Sequence, residues 1–176
     1  MTSDYNTIPD IIRKIVHTDF SSVLDIGMGH GKYGYLIREY KDFIYGRFNK
    51  GEYNIRIDGL EAYPKVLTYQ EKFYDHIYTG EIKDFTPDIQ YDLMLWVDIL
   101  EHLEEKDATE QFNRYKPFAK QHIISIPKVF YKQELIFNKD YDQHRSLLSP
   151  ELLGSDESIC SKDSDHHIFI VDGGIK

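Results

Sequence analysis

The chain has 176 residues, 21 of them Lys or Arg against 30 Asp or Glu, giving a formal net charge of −9 at neutral pH. That length suits one domain with a sizeable core, and the acidic balance argues against a general binder of nucleic acid or of anionic membranes. The single cysteine, Cys160, excludes an internal disulfide and fits a reducing compartment.

Residues 1–20 lack the apolar core of a signal peptide, and no apolar run approaches the roughly 20 residues of a membrane span. The expectation is a soluble, cytoplasmic protein. Strand and helix signals alternate, which points to a parallel α/β sheet. Ile8, Ile11, Ile12, Ile15 and Val16 fall at helical spacing with Pro9 in the first turn, so the chain opens on a helix. Ser21 to Ile26 read as a short buried strand running into glycines. A helix follows over about Lys32–Tyr40, with Tyr33, Leu36, Ile37 and Tyr40 on one face. Residues 41–54 show no clean period and read as a helix end plus a loop.

The second strand runs Ile55–Leu60 and ends at Glu61; Pro64 opens a helix to about Phe73, and His76–Thr79 is a weak third strand. Tyr91–Asp98 is a continuous apolar run, the mark of a strand buried on both faces. A charged helix from Glu104 to about Phe118 leads to a fifth strand, His122–Ile126, stopped by Pro127. Residues 128–147 read as a long loop, and Ser149 and Pro150 as the cap and first position of a further helix. Ser158–Ser161 and His167–Asp172 read as a closing antiparallel pair. The sum is a single α/β domain over residues 1–176: a seven-stranded, mostly parallel sheet with helices on both faces and the last strand antiparallel.

The sharpest feature is the loop Asp25–Gly31, with glycines at 27, 29 and 31 between a strand and a helix. Such glycines let backbone approach a ligand at a helix N-terminus. Gly29, Gly31 and Gly34 match the dinucleotide spacing G-x-G-x-x-G. In that pattern the first glycine follows the strand almost at once and an acid sits about 20 residues on. Here Gly29 comes late, the acid-bearing strand is further away, and no substrate domain follows. A Walker loop needs Ser or Thr after Gly31-Lys32, and the chain has Tyr33.

Written as D-x-G-x-G-x-G, with Glu61 ending the next strand, the loop resembles the first motif of class I S-adenosylmethionine-dependent methyltransferases. The resemblance extends from Val23 to Asp172 and carries the family's seven-stranded fold as an expectation. It implies that Gly27, Met28, Gly29 and Gly31 line the methionine part of the cofactor, with Asp25 meeting its amino end. Glu61 would take the two ribose hydroxyls, for which one carboxylate offers two acceptor oxygens. Ala62 and Tyr63 would lie along the adenosine, and Ile82, Lys83 and Asp84 near the adenine.

Asp98, Glu101 and His102 follow the buried fourth strand, at the edge where open α/β sheets place their sites. The stretch looks like the D-x-x-E-H form of the family's fourth motif, with Asp98 at the cofactor. In some relatives such a stretch, with one later histidine, holds a divalent metal; His144 is placed to be that histidine. The implied metal set is Asp98, Glu101, His102 and His144, with Mg²⁺ or Mn²⁺ lowering the pKa of an acceptor hydroxyl. Asp98, His102 and His144 are also the catalytic candidates, His102 or His144 as general base.

Basic residues gather in two places, Lys41, Lys50, Arg47 and Arg56 before and in strand two, and Lys128, Lys132, Lys139 and Arg145 after strand five. The favoured expectation is methyl transfer to an oxygen or nitrogen of a small, anionic molecule. Two alternatives stand beside it: a metal-dependent RNA 2′-O-methyltransferase, against which the overall acidity counts, and a cofactor-binding module without catalysis.

Overall fold

In the computed structural model, residues 4–132, 143–155 and 164–174 are described. Among them are three α-helices, α1 (Ile8–His17), α2 (Lys32–Lys41) and α3 (Glu105–Tyr115). Six strands accompany them: β1 (Ser22–Ile26), β2 (Arg56–Glu61), β3 (His76–Thr79), β4 (Tyr91–Val97), β5 (Ala119–Pro127) and β6 (His166–Asp172). They form one sheet in the order β3-β2-β1-β4-β5-β6. All neighbours are parallel except β5 and β6, which pair antiparallel with His122 opposite Val171. The described sheet therefore has six strands where seven were expected. The expected strand Ser158–Ser161 lies outside the described residues.

Side chains alternate across a strand, and β4 shows what that does here. Leu93, Leu95 and Val97 pack with Ile11 and Ile15 of α1 and Tyr33 and Ile37 of α2. Met94 and Trp96 point the other way, into a second cluster with Ala108, Phe112 and Tyr115 of α3. Both faces are covered, as a continuous apolar strand requires.

Two expected helices resolve differently. Residues 64–73 hold only the short 3₁₀ turns Pro64–Val66 and Gln70–Lys72. The cause is the fully buried Gln70 side chain, whose Oε1 accepts from the Thr68 and Tyr69 backbone N–H groups (2.7 and 2.9 Å) while Nε2 donates to the carbonyls of Val66 and Gly29 (2.8 and 3.0 Å). These bonds occupy backbone groups an α-helix would need. After Pro150 there is a single 3₁₀ turn, Glu151–Leu153, ended by Gly154 at φ +86°. The expected helix to Phe118 stops at Tyr115, since Pro117 has no N–H to continue it. Among the described residues no helix is long and apolar enough to cross a membrane.

Candidate active site

The chain reverses out of β1 through three glycines with positive φ, Gly27 at +67°, Gly29 at +53° and Gly31 at +79°. At Gly27 the constraint is double: a Cβ there would also fall 1.9 Å from Ile99 Cδ1. Because β1 lies between β2 and β4, the crossover connections diverge to opposite sides of the sheet at this point, which opens a crevice at the strands' carboxyl ends. The crevice is a cleft of about 560 Å³, within the usual range for a small-molecule site.

Three segments expected to meet the cofactor wall this cleft: Asp25 with Gly27, Met28 and Gly29; Glu61 with Ala62 and Tyr63; and Ile82 with Lys83. Asp98 lines it as well. Gly31 and Asp84 do not; Gly31 instead stands at the N-cap of α2. Glu61 is clamped in the wall. Its Oε2 accepts from Gly29 N–H and its Oε1 from Tyr63 N–H, both at 2.8 Å. Each oxygen keeps a second lone pair. Ile82 is fixed from behind, its carbonyl accepting from Tyr115 Oη at 2.8 Å and from Arg114 Nη2.

Asp25 is buried, and burial pushes its carboxyl up to about 7; a hydrogen bond from Tyr74 opposes the rise, nearby Glu61 adds to it, and Lys32 opposes it. Lys32, in the first turn of α2, is pulled below its ordinary value by burial against the attraction of Asp98, Asp25 and Asp4. Asp98 takes a left-handed backbone, φ +55°. Its N–H donates to the Ser125 carbonyl (3.1 Å), and Ser125 Oγ donates to its Oδ1 (2.7 Å). The Nε2 of buried His166 lies 3.6 Å from the same oxygen, and His166 Nδ1 lies 3.4 Å from the Asp4 carboxylate. Burial raises the Asp98 carboxyl, with His166, Ser125 and the Asp4 backbone opposing.

Just beyond Asp98, the 3₁₀ turn Leu100–His102 presents Glu101 and His102. Backbone N–H groups of Arg145 and Ser146 donate to the Glu101 carbonyl (2.8 and 3.2 Å), and Ser146 Oγ donates to the Leu103 carbonyl (2.8 Å). That stitching brings His144 in. One ligand atom from each of Glu101, His102 and His144 lies within 4.8 Å of the others. Asp98 is not part of this group; its carboxylate is engaged by Ser125. Both Glu101 carboxylate oxygens are buried with no hydrogen-bond partner among the described residues. Burial, with the charge of Asp98, holds that carboxyl well above its usual range. His144 is pushed down to about 4 by burial, with His102 and His166 adding to the effect. His102 Nδ1 lies 3.1 Å from the Gln143 carbonyl, which assigns the proton to Nδ1 and turns Nε2 toward the group.

Most of the basic residues singled out by sequence serve the scaffold. Lys41 Nζ donates to the carbonyls of Val16 and Thr18, Arg47 pairs with Asp42, Lys50 donates to the Tyr74 carbonyl, and Arg56 pairs with Asp58. Lys128 Nζ donates to the Ser164 carbonyl at 2.6 Å. Lys132 is exposed, Lys139 lies outside the described residues, and Arg145 lines the cleft. Sequence reasoning missed Lys32 and Tyr33, which line the cleft as the first turn after the glycine loop. It also missed Ser125 and His166, which have no neighbouring motif and reach Asp98 only through the β4–β5–β6 pairing.

No protein-family model and no curated protein sequence matches the chain. Solved structures do match its fold. A candidate O-methyltransferase of Nostoc punctiforme superposes with a TM-score of 0.64 at 15% identity, over 93% of this chain and 55% of the other. An O-methyltransferase family protein of Burkholderia thailandensis gives 0.61 at 9% identity, over 95% and 56%. An S-adenosylmethionine-dependent methyltransferase of Clostridium acetobutylicum gives 0.52 at 16% identity, over 71% and 51%. The chain spans about half the length of these proteins. The fold is that of the S-adenosylmethionine-dependent methyltransferases.

Proposed function

We propose that the chain transfers a methyl group from S-adenosylmethionine to an oxygen or nitrogen of a small molecule. The observation that carries this is Glu61. Its two oxygens stand at the end of β2, each held by one backbone N–H and each with a lone pair left for a vicinal diol. A phosphate-binding loop would be poorly served by a carboxylate at that position. Asp25 at the glycine loop fits an ammonium group, and Ala62, Tyr63 and Ile82 fit the adenosine. Likeness of fold to proteins described as methyltransferases supports the same reading.

The cofactor supplies an electrophilic methyl on a sulfonium with a neutral leaving group. What the chain contributes is position: a fixed glycine loop, a clamped Glu61 and a cleft that holds an acceptor in line and limits water. We assign a divalent cation to Glu101, His102 and His144. Two buried carboxylate oxygens without partners among the described residues are costly unless a cation or proton meets them. A set of two imidazoles and one carboxylate suits Mn²⁺ or Zn²⁺ better than Mg²⁺. Such a cation would lower the pKa of an acceptor hydroxyl.

The test is incubation with methyl-labelled S-adenosylmethionine and a metabolite extract, followed by identification of the labelled product, with Glu61→Ala as the control. Label on a small molecule, lost in Glu61→Ala, is expected. Absence of calorimetric binding of S-adenosylmethionine overturns the proposal; binding without transfer to any acceptor supports a binding module instead. Chelation should abolish turnover and Mn²⁺ restore it, and turnover untouched by chelation removes the cation.

A further inference from the structure

The residues that hold the glycine loop in place come from a stretch with no motif. Tyr74 follows the second 3₁₀ turn and is fully buried. Its ring lies where a Cβ on any of three glycines would intrude, within 3.1 Å at Gly31, 2.3 Å at Gly34 and 2.9 Å at Gly59. Gly31 ends the glycine loop, Gly34 is in α2 and Gly59 is in β2, so one ring packs against glycines of three elements, joined by Gln70 Cγ at Gly31 and Met28 Sδ at Gly59, which an added Cβ would meet first. Its hydroxyl makes two bonds: it donates to Asp25 Oδ2 at 2.6 Å and accepts from Gly34 N–H at 3.1 Å. Four residues earlier, Gln70 Nε2 donates to the Gly29 carbonyl at 3.0 Å. The stretch 66–74 thus grips the loop at its start, middle and exit.

We propose that Tyr74 is a positioning residue of the cofactor site, its hydroxyl orienting the Asp25 carboxylate at the cleft wall and keeping it charged to receive an ammonium group. The inference rests on the proposed function, since the ammonium is that of the cofactor's methionine part. A buried carboxylate loses water and is held in charged form by the donors and charges around it. Asp25 faces two groups that favour its charged form, Tyr74, which donates, and Lys32, which attracts, and one that opposes it, Glu61, which repels. The Tyr74 bond is the strongest influence opposing burial. Tyr74→Phe leaves the ring, and hence the packing, and takes away the hydroxyl that donates to Asp25 and accepts from the Gly34 N–H.

The consequence is a pH signature. Affinity for an ammonium ligand falls on the acid side as Asp25 takes a proton, with a midpoint near the value of about 7 that burial gives it. In Tyr74→Phe that midpoint moves up. A rise of roughly one unit cuts the charged fraction at pH 7 from about a half to about a tenth, a fivefold weakening that shrinks as pH rises.

Calorimetric titration with S-adenosylhomocysteine from pH 5.5 to 8, on wild type, Tyr74→Phe, Asp25→Asn and the double variant, tests this. The expected result is an acid limb shifted upward in Tyr74→Phe, and no further shift when Tyr74→Phe is added to Asp25→Asn. A loss of affinity that is equal at every pH, or no loss, assigns Tyr74 to structure alone and overturns the inference while the proposed function stands. A wild type that binds nothing at any pH overturns the proposed function and the inference together. Should Tyr74→Phe fold poorly, carbon-13 titration of the ligand-free wild type remains, where the Tyr74 Cζ resonance is expected to follow the Asp25 carboxyl with the same midpoint, and a Cζ resonance that ignores the Asp25 titration overturns the inference.

Discussion

Glu61 has two duties that one substitution can separate. Its carboxylate ties the Gly29 and Tyr63 backbones together and leaves lone pairs facing the cleft. Glu61→Gln keeps the shape and turns one acceptor into a donor aimed at a backbone N–H. Hydrogen bonds to a charged group are worth about 1.5–3 kcal/mol, so cofactor affinity should fall by roughly 10- to 100-fold, read by calorimetry, with thermal stability lowered as well. Gly34 gives a prediction whose sign is informative. Gly→Ala within a helix ordinarily stabilises by about 1 kcal/mol. Here an added Cβ would lie 2.3 Å from the Tyr74 ring. Gly34→Ala should therefore lower the unfolding midpoint, and a raised midpoint in a melting experiment would contradict the packing around Tyr74.

Elements differ in how far they are legible from sequence, and the reason is where their hydrogen bonds go. β1, β4 and α1 bond within themselves or to adjacent strands and carry their apolar period openly. The glycine loop and Glu61 are legible for the same reason, being strand ends. Residues 64–75 are not, because Gln70 and Tyr74 bond to partners 41 and 49 positions earlier in the chain. Residues 41–54 are opaque through a similar device. Arg38, fully buried, pairs with Asp42 at 2.9 Å and Asp75 at 2.8 Å, donates to the Phe73 and Ile55 carbonyls, and lies 4.0 Å over the Tyr53 ring. Asp42 in turn accepts from Arg47 and from Asn54 N–H, both at 2.9 Å. This network anchors the irregular stretch, and no periodicity reveals it. Arg38→Met takes one of the two guanidinium partners of buried Asp42 and leaves it with Arg47 and the Asn54 N–H, a loss at the lower end of what breaking a buried pair costs, about 3 kcal/mol. At about 2–4 °C per kcal/mol for a chain of this size, the melting point should drop by roughly 10 °C.

Across the whole molecule, buried titratable groups pull stability in opposite directions with pH. Asp25 has a raised folded value, so acidification from pH 7 toward 4 favours the folded state at that group. His122, at the β4–β5 pairing beneath α3, does the reverse. Its Nδ1 accepts from Trp96 Nε1 at 3.1 Å and its Nε2 faces the Lys116 carbonyl at 3.2 Å, which fixes the neutral tautomer. A second ring proton would oppose the indole N–H, and burial already pushes the imidazole down to about 4. Between pH 6.5 and 4 the unfolded chain binds that proton and the folded chain does not. The stability His122 contributes is therefore complete above pH 6.5 and is lost on descent to pH 4, by about 3 kcal/mol from a depression of roughly 2.5 units. Since Asp25 and other groups titrate in the same window, the native pH profile mixes both signs. The difference between wild type and His122→Gln removes the common part. In urea unfolding, that difference should be largest at pH 7 and shrink by about 3 kcal/mol near pH 4. A difference constant with pH would mean that His122 already carries its proton in the folded protein, or takes it without losing the Trp96 bond.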